Sequence, residues 1–253
     1  MIRFILFVMI MAMVESAHAM HIMEGFLPPG SCIAWGILCV PFLWIGVRKI
    51  NGLAAGNRQA MLFLAMAGAF TFVLSALKIP SVTGCSSHMT GLGFATILFG
   101  PSVACVLAMI VLLFQAVLLA HGGLTTLGAN IFSMGIIGPI MVYLTYSILV
   151  RFKAARPVTI FCAAALGDLA SYAMTSFQLA LAYPSEVGGI TASFVKFLEI
   201  FVITQIPLAI IEGILTIVII NVITTDYGCE IMPALNKEPA LNKEYLKEEH
   251  AHD

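Results

Sequence analysis

The dipeptide Met20-His21 carries the donor atoms in this sequence that are best suited to chelating a metal ion. If Met20 begins the mature chain, its terminal amine, the amide nitrogen of His21 and the His21 imidazole can bind one metal. The two chelate rings so formed have five and six members, and the three nitrogens share a plane. Tetragonal ions such as Ni(II) or Cu(II) prefer this geometry, and low-spin Co(II) also fits it. The amide must lose its proton, so we expect strongly pH-dependent binding.

A fourth ligand position remains open in such a chelate, and His88 is the natural candidate for it. His88 ends a polar segment, residues 81–88. The same histidine is also the second residue of Cys85-x-x-His88, which is half of a zinc-site pattern. No second pair of this kind is expected on the same side of the membrane, which argues against structural zinc. From spacing alone, a metal site and a solvated loop histidine both stay open.

Four further polar residues attract attention because of where they lie. His121 begins a Gly-rich segment and either orients a metal-bound imidazole or has a purely structural role. Glu24 either offsets the charge of the metal or is a solvated turn carboxylate. Asp168 and Glu212 lie in apolar runs, where ionisable groups are costly and often functional. For Asp168 we favour a buried hydrogen-bond network.

Residues 1–19 have the organisation of a cleaved secretory signal peptide. Arg3 provides a short positive region, residues 4–14 are apolar, and Ala17-His18-Ala19 is an A-x-A cleavage site. The alternative is an uncleaved membrane anchor, but the apolar region is short and Glu15 interrupts it. We therefore expect cleavage after Ala19, which exposes the amine of Met20.

The composition is that of a membrane protein. Of the 253 residues, 60% are hydrophobic and only 10% are charged, with a mean hydropathy of +1.03, whereas soluble domains carry about 25% charged residues. The net charge of −1 does not indicate a nucleic-acid partner. We predict an all-α bundle of about seven transmembrane helices, one of them short or broken. The apolar runs are 31–47, 60–79, 91–99, 101–120, 129–150, 157–182 and 192–224.

The distribution of lysine and arginine predicts the sidedness of these segments. Most basic residues fall near 48–58, near 151–156 and in the tail, 226–253, which would therefore be cytoplasmic. An outside N-terminus then requires an odd number of crossings, so the run 91–120 must divide at Gly100-Pro101. A helix over 91–99 would be only about 14 Å long, at about 1.5 Å per residue, and cannot span the bilayer. We expect neighbouring helices to bury it.

Three motifs resemble one known family. They are the stretch from Met20 to Pro29, the stretch from Ala76 to Gly84 with Ser87-His88 and Thr90-Gly91, and the stretch from His121 to Asn130. Together they are similar to the CbiM/NikM family, the substrate-capture components of energy-coupling-factor importers of cobalt and nickel. The similarity extends to about Thr224, with Met89 where the family commonly has proline.

This resemblance implies a seven-helix bundle with an N-terminal tail inserted from outside. It also implies a transported metal bound by the Met20 amine, the His21 amide and imidazole, and His88, with no other cofactor. The implied partners are a membrane coupling protein, two ATP-binding subunits and, for cobalt, a small CbiN-like accessory protein. No P-loop pattern occurs in the chain, so energy would come from those partners.

The expected function is therefore cobalt capture in the inner membrane, with the cobalt used for cobalamin synthesis. The C-terminus is expected in the cytoplasm. Residues 20–225 would form the metal-capture domain. The alternatives are nickel import by the same machinery and, more remotely, an intramembrane enzyme with Asp168 or Glu212 as the catalytic acid. No Ser-His-Asp or H-E-x-x-H arrangement supports an enzyme.

Overall fold

The fold is a helical bundle, described by a computed structural model for residues 21–55, 58–77, 79–80 and 86–227. The signal segment, Met20 and the tail from residue 228 onward lie outside the described residues. Within the described part the chain forms seven helices. These are α1 (Pro29–Ala54), α2 (Arg58–Ala76), α3 (Leu92–Phe99), α4 (Pro101–Leu118), α5 (Leu127–Arg151), α6 (Arg156–Ala182) and α7 (Gly189–Tyr227).

Six of these helices are long and apolar enough to cross a membrane, and α3 is the exception. The all-α membrane bundle with one short helix is thus confirmed. The bounds differ from the predicted runs by a few residues, and α7 continues to Tyr227, slightly into the segment that we predicted to be tail. Two very short antiparallel strands pair Ile79–Pro80 with Ser86–Ser87, which the apolar pattern did not predict.

The break between α3 and α4 lies at Gly100, as the sequence predicted. Gly100 has φ +83° and ψ 167°, a conformation that glycine adopts without steric cost, and Pro101 then begins α4. Residues 92–98 of α3 are all buried. Because a helix of eight residues cannot span the bilayer, its burial by neighbouring helices keeps its ends out of lipid.

Helix α1 faces outward along one stripe. Ile33, Ile37, Val40 and Trp44 are all exposed and recur at helical spacing, which is the pattern of a lipid-facing surface. On its other side α1 crosses α5 very closely, because a Cβ at Gly128 would lie 2.6 Å from the Cα of Gly36. Small residues at such crossings are typical of membrane helices.

A π-helical stretch, Ile131–Ile137, interrupts α5. Pro139 follows it, and a proline in a helix removes one backbone donor and crowds the preceding turn. The widened turn accommodates this defect within a continuous element of 25 residues. The stretch lies just after Asn130, a residue that contacts the N-terminal segment.

Candidate metal centre

The N-terminal segment, residues 21–28, enters the bundle before α1 begins. His21 and Ile22 are each 3% exposed. Asn130 of α5 holds Ile22 through its backbone: the Ile22 N–H donates to Oδ1 at 2.8 Å, and Nδ2 donates to the Ile22 carbonyl at 3.1 Å. Thr126 also donates to that carbonyl, at 2.6 Å. The inserted N-terminal tail that the resemblance implied is therefore present.

Two glycines after α4 make room for this segment. Gly122 has φ +81°, and a Cβ there would lie 3.3 Å from the Cβ of His21. A Cβ at Gly123 would lie 2.6 Å from the backbone nitrogen and Cα of Glu24. Larger residues would therefore push the N-terminal segment away from the loop that follows α4.

Three histidines from three separate segments meet at one buried point. His21 comes from the N-terminal segment, His88 from the loop before α3 and His121 from the loop after α4. Their ring centroids are 4.4 Å apart for His21 and His88, 4.6 Å for His21 and His121, and 5.1 Å for His88 and His121. One ligand nitrogen from each ring can be chosen so that all three lie within 4.8 Å of one another.

The spacing of these nitrogens suits a single metal ion. A metal–imidazole bond is about 2.0–2.1 Å long, so nitrogens on opposite sides of one ion lie about 4 Å apart. The three rings are at most 3% exposed. We name these three residues the histidine cluster. Met20, the remaining predicted ligand, lies outside the described residues.

His88 is held in a defined tautomer by the backbone carbonyl of the next residue. Its Nδ1 is 2.8 Å from the carbonyl oxygen of Met89. A carbonyl oxygen only accepts hydrogen bonds, so Nδ1 carries the proton and Nε2 keeps the lone pair that a metal requires. His21 makes a different contact, from Nε2 to Oε1 of Gln115 at 3.2 Å.

The loop that carries His88 is fixed mainly by α7. The two carboxyl oxygens of Glu212 accept three bonds from it: Thr90 N at 2.7 Å, Thr90 Oγ1 at 2.7 Å and Gly91 N at 3.1 Å. Gln205 donates to the carbonyl of His88 at 3.3 Å. Glu212, for which the sequence suggested no role beyond an enzyme's acid, thus binds the loop two residues after His88.

Asp168 is fully buried and belongs to the same network. Its Oδ2 accepts a bond from Gln205 Nε2 at 2.6 Å. The sequence predicted a buried network here from the neighbours Ser171 and Tyr172. Their described hydroxyl bonds go instead to backbone carbonyls, that of Gly167 for Ser171 and those of Phe197 and Leu198 for Tyr172.

Glu24 lies at the rim and is exposed. Its Oε2 accepts a bond from the backbone N–H of Thr125 at 3.1 Å. Hydrogen bonds from the side chain and backbone of Thr125 lower the pKa of the Glu24 carboxyl. A depressed pKa means that this link holds at neutral pH and is lost as the pH falls through the lowered value. Glu24 therefore joins the N-terminal segment to the loop after α4.

Several polar residues of the site were absent from the sequence-based set of candidate ligands and supporting residues. Gln115, Ser75 and Gln205 each lie within an apolar run, yet each is fully buried and hydrogen-bonded. A polar side chain inside a membrane helix is costly unless it is paired, so a polar residue within an apolar run indicates a buried hydrogen bond. Only the three-dimensional contacts say which of them support the histidine cluster.

Comparison with known proteins gives a consistent result. Residues 21–226 match the family model described as "Cobalt uptake substrate-specific transmembrane region", CbiM. Cobalt transport protein CbiM of Chlorobium limicola is 58% identical over 218 residues, which cover 86% of this chain and 85% of that protein. The CbiM of Desulforamulus reducens is 54% identical over 224 residues, 88% of each chain.

The fold is also found among solved structures. One, titled as a truncated transition metal transporter, superposes with a TM-score of 0.71 at 24% identity, covering 81% of this chain and 98% of that one. A second, titled as a transition metal transporter, gives 0.70. At this identity the likeness concerns the fold alone. The family match and the relatives' identity over most of the chain show that this multi-pass membrane protein belongs to the CbiM family of cobalt uptake components.

Proposed function

We propose that this protein captures Co(II) as transport cargo through nitrogen ligands at the histidine cluster. The proposed ligands are the amine of Met20, the amide and imidazole nitrogens of His21, and Nε2 of His88. The observation that carries the proposal is the convergence of three buried imidazoles from three segments on one point. Imidazole nitrogen is a ligand that suits divalent transition metals of this kind.

His121 completes the surroundings of the proposed site. It contacts both other rings and its backbone N–H donates to the carbonyl of Gln115 at 3.1 Å. We assign it a supporting role around the metal-bound imidazoles. Glu24 at the rim links two segments of the site, and its carboxylate would offset part of the charge of a metal ion.

The proposed transport cycle requires partners. Capture would occur on the outer face of the inner membrane, where the mature N-terminus would lie. A membrane coupling protein, two ATP-binding subunits and a small CbiN-like protein would supply the energy and complete the importer, which would feed cobalamin synthesis. The names of the relatives, cobalt transport proteins, support cobalt as the cargo.

Nickel is the second candidate cargo, because nitrogen ligands bind Ni(II) more tightly than Co(II) in the Irving–Williams order. An enzymatic role finds less support, because both buried carboxyl groups are used as hydrogen-bond acceptors for Gln205, Thr90 and Gly91. Competition between Co(II) and Ni(II) in one titration would rank the two metals for the purified protein.

The proposal is tested by titrating Co(II) into the purified, detergent-solubilised protein. His88→Ala removes a direct ligand, so we expect a loss of affinity greater than the 10- to 100-fold that an outer-shell change costs. Inserting one alanine between Met20 and His21 adds a second amide to the chelate and should abolish tight binding as well. Wild-type affinity in either variant, with the bundle intact by circular dichroism, would show that the ligand set is wrong.

A further inference from the structure

A chain of buried polar groups runs from His21 into the bundle. His21 Nε2 contacts Oε1 of Gln115 on α4, at 3.2 Å. The other end of the same amide, Nε2 of Gln115, contacts Oγ of Ser75 on α2 at 2.6 Å. Ser75 Oγ in turn contacts the carbonyl of Thr71 at 2.5 Å. Gln115, Ser75 and Thr71 have no measurable exposure to solvent.

The direction of every bond in this chain can be worked out from its far end. The carbonyl of Thr71 can only accept, so the single hydroxyl proton of Ser75 points to it. With its proton used, Ser75 Oγ must accept from Gln115, which requires the NH₂ group of the amide on that side. The amide oxygen of Gln115 therefore faces His21, and this assignment follows from the bonding pattern.

An amide oxygen facing His21 has one consequence for the imidazole. Oxygen accepts, so the nitrogen that it contacts, Nε2 of His21, must carry the ring proton. In a neutral imidazole only one nitrogen is protonated, so Nδ1 keeps its lone pair. Nδ1 is also the nitrogen that can close a six-membered ring with the backbone amide of the same residue.

We propose that Gln115 is a positioning residue that selects the metal-binding tautomer of His21, and that Ser75 sets the orientation of the Gln115 amide. This inference rests on the proposed function, because it concerns how His21 is prepared for the metal. The same logic holds for His88, where the backbone carbonyl of Met89 plays the part that Gln115 plays for His21. Both imidazoles are thus arranged for binding before the metal arrives.

The arrangement lowers the cost of binding. A histidine that must change tautomer or rotate before it binds loses part of its affinity to that reorganisation. The hydrogen bond to the outer nitrogen also makes the inner nitrogen a better donor. We call Gln115 and Ser75 the relay. Both lie on the side of the His21 ring away from Nδ1, so replacing either of them changes no atom of the proposed ligand set.

The test combines a spectroscopic readout with metal affinity. In metal-free protein labelled with ¹⁵N-histidine, at about pH 8 where imidazole is ordinarily neutral, protonated and bare ring nitrogens resonate in separate ranges. The His21 signals are identified by their loss in His21→Gln. We expect the wild type to show a protonated Nε2 and a bare Nδ1. The opposite pattern would overturn the proposal.

Two substitutions at position 115 separate the acceptor from the bulk of the side chain. Gln115→Met keeps the length but removes the acceptor, so we expect a mixture of His21 tautomers and a 10- to 100-fold loss of Co(II) affinity. Gln115→Glu keeps an oxygen toward His21 and should keep the proton on Nε2, although Ser75 must then turn its hydroxyl proton toward the carboxyl group. A Gln115→Met protein with an unchanged tautomer and affinity contradicts the proposal.

Ser75→Ala tests the relay at one remove from His21. It deletes only the hydroxyl that orients the amide, so the amide can turn and His21 should again become a tautomer mixture. Ser75→Ala also tests the proposal if Gln115→Met does not fold. Gln178→Met is the matched control: Gln178 is a buried glutamine on α6 that donates to the carbonyl of Ala129 at 3.1 Å. Its His21 signals should be those of the wild type.

These outcomes distinguish the relay from the proposed function itself. If the wild type binds no Co(II), the function proposal fails, whereas the tautomer measurement in metal-free protein still stands. If the wild type binds Co(II) and neither Gln115→Met nor Ser75→Ala changes the tautomer, only the relay is wrong. A shift in the control Gln178→Met equal to that in Gln115→Met would likewise overturn the specific role of Gln115.

Discussion

At the scale of single residues, the site depends on amide and hydroxyl groups that hold the N-terminal segment and the imidazoles in place. Asn130 binds both backbone groups of Ile22, in the manner of a neighbouring β-strand. Because Ile22 follows His21 directly, this pair of bonds sets where His21 enters the cluster. In the proposed site the histidines would supply the donor nitrogens, and the surrounding amides would set the orientation of those nitrogens.

Asn130→Ala should therefore weaken metal binding although Asn130 is no proposed ligand. It removes two hydrogen bonds that each contribute about 0.5–1.5 kcal/mol, which corresponds to a loss of roughly 5- to 150-fold in affinity if the segment is released. Asn130→Asp keeps the acceptor for the Ile22 N–H and should lose less. Co(II) titration measures both, and equal affinity in all three proteins would show that Asn130 does not secure the segment.

At the scale of secondary-structure elements, α7 is the support of the loop that carries His88. Three of its residues, Thr204, Gln205 and Glu212, bond to residues 87–91, with the Thr204 hydroxyl 2.7 Å from that of Ser87. Pro207 lies between them inside the helix. Residues 87–91 are therefore tied to α7 by hydrogen bonds, and a displacement of α7 would move His88 with it.

Glu212→Leu is expected to destabilise this link between the loop and α7. The change leaves the N–H groups of Thr90 and Gly91 and the Thr90 hydroxyl without their acceptor, and each unpaired buried group costs about 1–3 kcal/mol. The thermal unfolding temperature in detergent should fall, and Co(II) affinity should fall with it. Thr90→Val removes one of the three bonds at similar volume and should lower the unfolding temperature less. Equal unfolding temperatures for Glu212→Leu and the wild type would contradict this role.

Elements were more predictable from the sequence than their contacts. Gly100-Pro101 predicts a break between two helices because glycine tolerates positive φ and proline favours the first turn of a helix. The break between α3 and α4 lies at this position. Asp168 was expected to join a buried network, but its described partner, Gln205, lies 37 positions away. Sequence spacing does not reveal which distant helices touch.

The histidine cluster shows the same limit. The predicted chelate at Met20-His21 depends on two adjacent residues only, so the prediction could be made from the local sequence, and it stays a prediction because Met20 lies outside the described residues. His88 and His121 reach His21 only because the loops before α3 and after α4 fold to one place. The support from Gln115 was hidden in an apolar run, where periodicity marks a membrane helix and gives no sign of the neighbour.

At the scale of the whole molecule, the histidine cluster and the basic residue Arg48 lie at opposite ends of the bundle. The length of helix α4 gives the distance between these two ends. Near its start, Ser102 lies against Gly46 of α1, two residues before Arg48, and near its end Gln115 contacts His21. Thirteen residues separate Ser102 from Gln115, which is about 20 Å at about 1.5 Å per residue. The positive-inside rule then favours a cytoplasmic end at Arg48 and an outer end at the histidine cluster.

This polarity predicts which positions an external reagent can reach. In a cysteine-free background, a single cysteine at position 124, next to the Gly-rich turn after α4, should react in intact cells with a membrane-impermeant maleimide. A cysteine at position 153, between α5 and α6, should react only after the cells are permeabilised, because the loop near Arg151 and Arg156 is expected on the cytoplasmic side. Leu124 and Lys153 are both exposed in the bundle, so burial within the protein does not confound the comparison.

Labelling of both positions from outside would mean that α5 does not cross the membrane. Labelling of position 153 alone would mean that the whole molecule has the opposite orientation in the membrane. Inversion would place the histidine cluster at the cytoplasmic end, where the site could release a metal but could not capture one from outside.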